Sequence, residues 1–373
     1  MALSDICILV KIFHSFFIRT TLARDTKFDM IHMYMSKTNT KKRILTGDTP
    51  TGKLHIGHFI GTLENRVLLQ DEYETFIILA DLHALTTKSK EPKEIGEYTR
   101  EVALDNLAVG LDPQKATLFV ESAIPEIYEL AAFFSMFVTH ATALRNPTIK
   151  DEIVLKNLGE QFSLGFVNYP IYQAADILSV KGELVPVGID QEAHIEQTRE
   201  IARAVNAIAG YSLFPEPKAK IGRIGKLVGT DGNPKMSKSL GNTIYLSDTK
   251  EEVEKRVAGM YTDPNRIHKN DPGKIEGNPL FIYLDTFGTQ KDQSAIVDFK
   301  DRYQKGAVGD VEVKQYLAGV MNRFLEPIRE RRAYFEHRPK EVDEIIHTGN
   351  TRVRSIVRET LKELRDAFGF YSK

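Results

Sequence analysis

From Lys41 onward, short apolar runs alternate with amphipathic stretches of helical spacing. A chain patterned in this way buries both faces of its strands by building a parallel sheet with helices packed on either side. Strands are expected at 43–47, 75–80, 117–120 and 183–187, and the unbroken apolar run Thr-Phe-Ile-Ile-Leu-Ala at 75–80 suits a strand buried on both faces. Helices are expected at 57–70, 92–109, 125–138, 169–180 and 190–209. In the first of these, Ile60, Leu63, Val67 and Leu68 fall on one side. After 247 the strand pattern stops, and helical segments follow near 249–260, 278–287, 310–336 and 350–368, with Gly306, Gly309, Pro339 and Gly349 placed as helix ends would be. The expected architecture is therefore α/β: a doubly wound, Rossmann-type parallel sheet over 37–247 and an all-helical domain over 248–373. A chain of 373 residues is long enough for both.

Composition excludes several classes. With 42% hydrophobic and 27% charged residues the chain has neither the apolar deficit of a disordered protein nor a run suited to a membrane span. Basic and acidic side chains balance at 50 against 51, so a nucleic acid would have to meet a local basic face. One such face is suggested by Arg329, Arg331, Arg332, Arg352, Arg354 and Arg358, within a 321–373 segment holding 12 Lys and Arg against 9 acids. The single cysteine, Cys7, permits no internal disulfide and no thiolate cluster, which suits a reducing, cytoplasmic setting. Residues 1–36 differ from the remainder and read as an upstream extension before an internal start at Met33 or Met35, in preference to a targeting segment.

The loop Pro50-Thr51-Gly52-Lys53-Leu54-His55-Ile56-Gly57-His58 joins the first strand to the first helix, where doubly wound sheets bind nucleotides. A helix start offers free N–H groups and partial positive charge to phosphate oxygens. Gly57 would let a nucleoside lie against the backbone, and His55 and His58 are spaced to face one phosphate. Much further on, Lys235-Met236-Ser237-Lys238-Ser239 follows the turn Asp231-Gly232-Asn233-Pro234 and places two lysines where they can track departing phosphates. In the middle of the chain Tyr169, Gln173 and Asp176 share a helix face. Asp176 sits among alanine, isoleucine and leucine, so its carboxylate needs a partner: an indole N–H, a phenol and an arginine all qualify.

His-Ile-Gly-His at 55–58 together with Lys-Met-Ser-Lys-Ser at 235–239 resembles the paired signatures of the class I aminoacyl-tRNA synthetases. The stretches 47–58, 81–86, 169–176 and 185–191 resemble bacterial tryptophanyl-tRNA synthetases of the second branch, and the likeness runs from about residue 43 to the C-terminus. The resemblance implies ATP-dependent activation of L-tryptophan and its transfer to tRNA(Trp), with release of pyrophosphate and AMP. It implies His55, His58, Lys235 and Lys238 as stabilisers of the reacting phosphates, aided by Mg²⁺ carried on ATP. Thr49, Pro50, Gly57, Gly188, Asp190, Met236 and Ser237 would join them around ATP. His83, Tyr169, Gln173, Asp176, Val185, Val187 and Gln191 would line the amino-acid pocket. No protein-held metal, no DNA and no membrane are implied. A homodimer formed through the sheet domain and an anticodon-reading helical lobe are.

Overall fold

The computed structural model describes residues 41–371 except 156–158, 160, 224–226, 264, 265, 267 and 269. The expectation for residues 1–36 lies outside the described residues. Five strands, β1 (Arg43–Asp48), β2 (Glu74–Leu79), β3 (Ala116–Val120), β4 (Leu184–Val187) and β5 (Lys218–Ile221), form one sheet in the order β3-β2-β1-β4-β5. Every pairing is parallel, with Arg43 opposite Glu74, Thr75 opposite Ala116 and Leu184 opposite Lys218. Order therefore reverses between β1 and β4, and this reversal leaves a crevice at the carboxyl ends of the two strands. Strand β5 escapes the sequence pattern because Lys-Ala-Lys-Ile is a polar edge, and edge lysines protect a sheet from pairing with other chains.

Around the sheet run α1 (Ile56–His58), α2 (Glu64–Leu69), α3 (Asp81–Lys88), α4 (Ile95–Ala108), α5 (Glu126–Ser135), α6 (His140–Arg145), α7 (Pro147–Leu155), α8 (Leu164–Ser179) and α9 (Glu192–Ala209). Between α1 and α2 the chain widens into a π-helical turn, Phe59–Leu63. The wide turn inserts a residue into the helical register. Ile60 and Leu63 still point inward, but Arg66 is buried in their train while Leu68 is two-thirds exposed, so the expected apolar face of 57–70 is corrected at its second half. Helix α8 starts at Leu164 with Ser163 as its cap, earlier than expected, and carries Pro170 within it.

The helices beyond 247 are α10 (Lys250–Ala258), α11 (Pro279–Phe287), α12 (Gln293–Gln304), α13 (Asp310–Glu336) and α14 (Pro339–Ala367). Pro339 opens α14 rather than ending its predecessor, as expected of a residue lacking an N–H. Gly349 lies inside α14, against strand β3: a Cβ there would stand 1.9 Å from the Leu118 carbonyl oxygen. Beside it, Asn350 Oδ1 accepts a hydrogen bond from the Val120 N–H at 2.8 Å, so α14 covers the edge of the sheet. Gly349→Ala is expected to lower unfolding stability by about 1–3 kcal/mol through this overlap, despite alanine's better helix propensity. A urea-denaturation midpoint equal to or above that of the parent would refute the close approach.

The C-terminal arginines are engaged inside the protein. Arg352 bonds Glu74 and Thr117, Arg354 and Arg358 both hold Glu126, Arg331 donates to the Ala108 carbonyl, and Arg329 bonds Glu326 and Asn322. Arg331, Arg352, Arg354 and Arg358 thus tie α13 and α14 to the sheet and its helices, while Arg352, Arg354 and Arg358 keep about half of their side-chain surface exposed.

Candidate active site

At the switch between β1 and β4 the chain leaves a cleft of about 480 Å³. Of the residues singled out from sequence, Thr49, His58, His83, Tyr169, Gln173, Asp176, Val185, Val187, Gly188, Gln191 and Lys238 line it. Pro50, His55, Gly57, Asp190, Lys235, Met236 and Ser237 do not; they stand behind or beside this lining. The cleft has two chemically distinct ends.

At one end lies the first signature loop. His55 caps α1: its Nδ1 accepts from the Gly57 N–H at 3.1 Å, and His58 Nδ1 reaches back to accept from the His55 N–H at 3.1 Å. This reciprocal arrangement is a capping box built from two imidazoles. Because each Nδ1 receives a backbone proton, each neutral ring carries its own proton on Nε2 and is a donor there. Burial, reinforced by the neighbouring ring and Lys238, holds His55 down to about 2. Burial also lowers His58, to about 4, although Asp48 opposes it. The two are thus neutral hydrogen-bond donors, not the cations that phosphate stabilisation first suggests. Gly57 serves the His55 ring, since a Cβ would stand 2.9 Å from that imidazole and 3.3 Å from the Met236 sulfur. Beneath His58, Asp48 is bound by Arg66 and Asn106.

The second signature loop arrives at the same end. Lys238 Nζ donates to Thr51 Oγ1 at 3.0 Å and to the Gly52 carbonyl at 3.3 Å, so its ammonium lies on the first loop. Burial lowers the Lys238 pKa. Asn242 organises the loop by accepting from the Ser237 N–H at 2.8 Å and donating to the Lys235 carbonyl at 3.2 Å. Met236 is buried, while Lys235 is exposed. Main-chain bonds from Ile56 N to Ile244 O and from Leu246 N to Leu54 O then tie the first loop to the segment that follows the second.

At the other end is Asp176, buried, with Oδ1 lacking any hydrogen-bond partner. Burial raises its pKa well above the usual range, and Glu121 adds to the rise while His83 counters it. His83 Nδ1 lies 3.0 Å from Glu121 Oε1 and 3.8 Å from Asp176 Oδ2, and its Nε2 faces the Tyr169 carbonyl at 3.3 Å. Both ring nitrogens face acceptors. Burial works against charging His83, yet Glu121, Asp176 and the Tyr169 carbonyl together outweigh it and raise the ring to about 9. Tyr169 Oη bonds His194 Nε2 at 2.8 Å, and Gln173 Nε2 bonds Gln191 Oε1 at 3.3 Å.

Sequence reading missed Glu121, His194 and Asp48. His194 belongs to a helix whose outer face is solvated and salt-bridged, with Arg203 bridging Glu196 and Glu216; the buried face has no charge pattern to announce it. For Glu121 the available signal was a carboxylate at the carboxyl end of a strand, and for Asp48 the same.

A doubly wound sheet whose two signature loops meet at the switch point defines a class I aminoacyl-tRNA synthetase, and residues 37–326 match the family model for tRNA synthetases class I (W and Y). Among relatives, the tryptophan–tRNA ligase of Streptococcus pneumoniae is 51% identical over 337 residues, covering 89% of this chain and 99% of that protein. That of Streptococcus agalactiae is 49% identical over 335 residues, covering 88% and 98%. The tryptophanyl-tRNA synthetase of Campylobacter jejuni, solved with ADP and tryptophan, superposes with a TM-score of 0.77 at 32% identity, covering 88% of this chain and all of that one. The chain belongs to the tryptophan–tRNA ligase family.

Proposed function

We propose that this enzyme joins L-tryptophan to tRNA(Trp) in two steps within the one cleft. A tryptophan carboxylate oxygen attacks the α-phosphorus of ATP; the new P–O bond forms as the bond to the bridging oxygen breaks, and pyrophosphate leaves. A ribose hydroxyl at the end of tRNA then attacks the activated carbonyl carbon, and AMP departs. Neither step needs a protein nucleophile, so the chain contributes position and charge.

Tryptophan lies with its ring between Val185 and Val187 and its indole N–H on Asp176 Oδ1, the buried acceptor left open. Tyr169, Gln173 and Gln191 present polar atoms to its ammonium and carboxylate, and His83 orients Asp176. ATP occupies the opposite end, over Thr49, Pro50, Gly57 and Gly188, with Asp190, Met236 and Ser237 shaping the adenosine side. His55 and His58 donate through Nε2, and Lys238 supplies the cation, joined by Lys235 as its loop closes. Mg²⁺ would neutralise phosphate charge; Asp48 is already occupied by Arg66 and Asn106, a donor set that fits a cation held mainly by phosphate oxygens. The helices beyond 248 are the tRNA-reading lobe in this reading. Association as a homodimer and residence in the cytoplasm accompany it. Among the described residues no helix is long and apolar enough to cross a membrane.

The observation that carries the proposal is the Lys238 ammonium on Thr51 and Gly52 at one end of a cleft whose other end holds the unpartnered Asp176 Oδ1. ATP–pyrophosphate exchange driven separately by tryptophan and tyrosine tests it. Exchange is expected with tryptophan alone, and exchange driven by tyrosine would overturn the amino-acid assignment.

A further inference from the structure

We propose that Asp105 and Arg332 are positioning residues for the first signature loop, fastening it to the C-terminal helices. The inference rests on the reading that ATP binds at that loop. Asp105, fully buried on α4, accepts from the Leu54 N–H through Oδ2 at 2.8 Å. Its other oxygen, Oδ1, accepts from Arg332 Nη1 of α13. Arg332 is itself buried and is held in direction by Glu101 and Glu336, each at 2.7 Å. Leu54 immediately precedes His55, whose ring caps α1 and receives the Gly57 N–H. From its opposite side the Leu54 carbonyl accepts from the Leu246 N–H at 3.0 Å. Leu54, the residue that leads into the two histidines, is thus held through its N–H by Asp105 and through its carbonyl by the segment following the second loop.

Stability alone is a poor explanation of this pair. Burial pushes Asp105 up to about 6, even with Arg332 and the Leu54 N–H opposing the shift, and a buried ion pair can often be exchanged for packed apolar residues without loss. What a carboxylate supplies that an apolar side chain cannot is direction: two acceptor oxygens, one for a loop N–H and one for a guanidinium from a helix 227 positions away. A shift of α13 would therefore reach the backbone of the loop through these two bonds.

The test is steady-state ATP–pyrophosphate exchange on the full chain carrying Asp105→Leu with Arg332→Met, alongside the near-isosteric Asp105→Asn. For the double variant the KM for ATP is expected to rise about tenfold, from the loss of a charge-assisted hydrogen bond, with the KM for tryptophan within about twofold of the parent and the melting temperature lower by a few degrees because the Leu54 N–H loses its acceptor. Asp105→Asn, which keeps an acceptor for Leu54 but weakens the hold on Arg332, should move the KM for ATP in the same direction by less. An unchanged KM for ATP in either folded variant overturns the proposal. So does an equal rise in both KM values, the signature of a merely structural pair. Absence of tryptophan-dependent exchange in the parent protein would instead strike the functional reading, so the two failures are distinguishable.

Discussion

Replacing Lys238 by alanine is expected to slow tryptophan-dependent ATP–pyrophosphate exchange by about 10²- to 10³-fold in kcat, the usual cost of deleting one preorganised stabiliser of developing charge. Lys238 Nζ already lies on Thr51 and Gly52, so the ammonium is in place before ATP arrives. Burial makes that charge harder to hold, and phosphate oxygens relieve it. The attraction should strengthen as charge passes to the departing pyrophosphate, which puts the loss in kcat more than in the KM for tryptophan. Lys238→Arg should restore only part of the rate, because a planar guanidinium cannot reproduce a point charge at this site. A Lys238→Ala enzyme within threefold of the parent would remove this residue from the mechanism.

The second large effect is expected at Asp176. Asp176→Ala should cut the preference for tryptophan over phenylalanine on the order of 10⁴-fold, since a site built to bond a substrate N–H rejects the analogue lacking it chiefly through the buried acceptor that would go unpaired. Oδ1 is such an acceptor. Alanine removes both the reward for the indole and the penalty for the phenyl ring, so selectivity falls from both sides. The ratio of kcat/KM for the two amino acids in the exchange assay is the direct measure, and an unaltered ratio would mean that shape alone selects. The His83–Glu121 pair should survive the substitution, because its 3.0 Å bond does not pass through Asp176.

Much of this arrangement was legible in sequence because it is written locally. Strands β1 to β4 announce themselves by apolar runs between turns, and both signature loops are contiguous, so four of the five strands and the positions of the two loops along the chain follow from spacing. The amino-acid end was half legible: Tyr169, Gln173 and Asp176 share a helix face whichever residue starts that helix. What could not be read is long-range or compensated. A π-turn at Phe59–Leu63 leaves no compositional mark, yet it decides that Arg66 turns inward and Leu68 outward. The C-terminal arginines read as a basic face, and nothing local reveals that they pair with Glu74, Glu126 and Asp105 from distant parts of the chain. Gly349 reads as a helix terminus, and only the approach of Leu118 explains it as a residue of the helix interior.

The capping of α1 by its own two imidazoles has a bearing on acidity. With both Nδ1 lone pairs committed to main-chain protons, and ring basicity depressed to about 2 at His55 and about 4 at His58, both rings are neutral between pH 6 and 8 before nucleotide binds. The free enzyme therefore meets the nucleotide with the same two Nε2 donors over that interval, so a bend there in the pH dependence of kcat/KM for ATP originates in another ionisation.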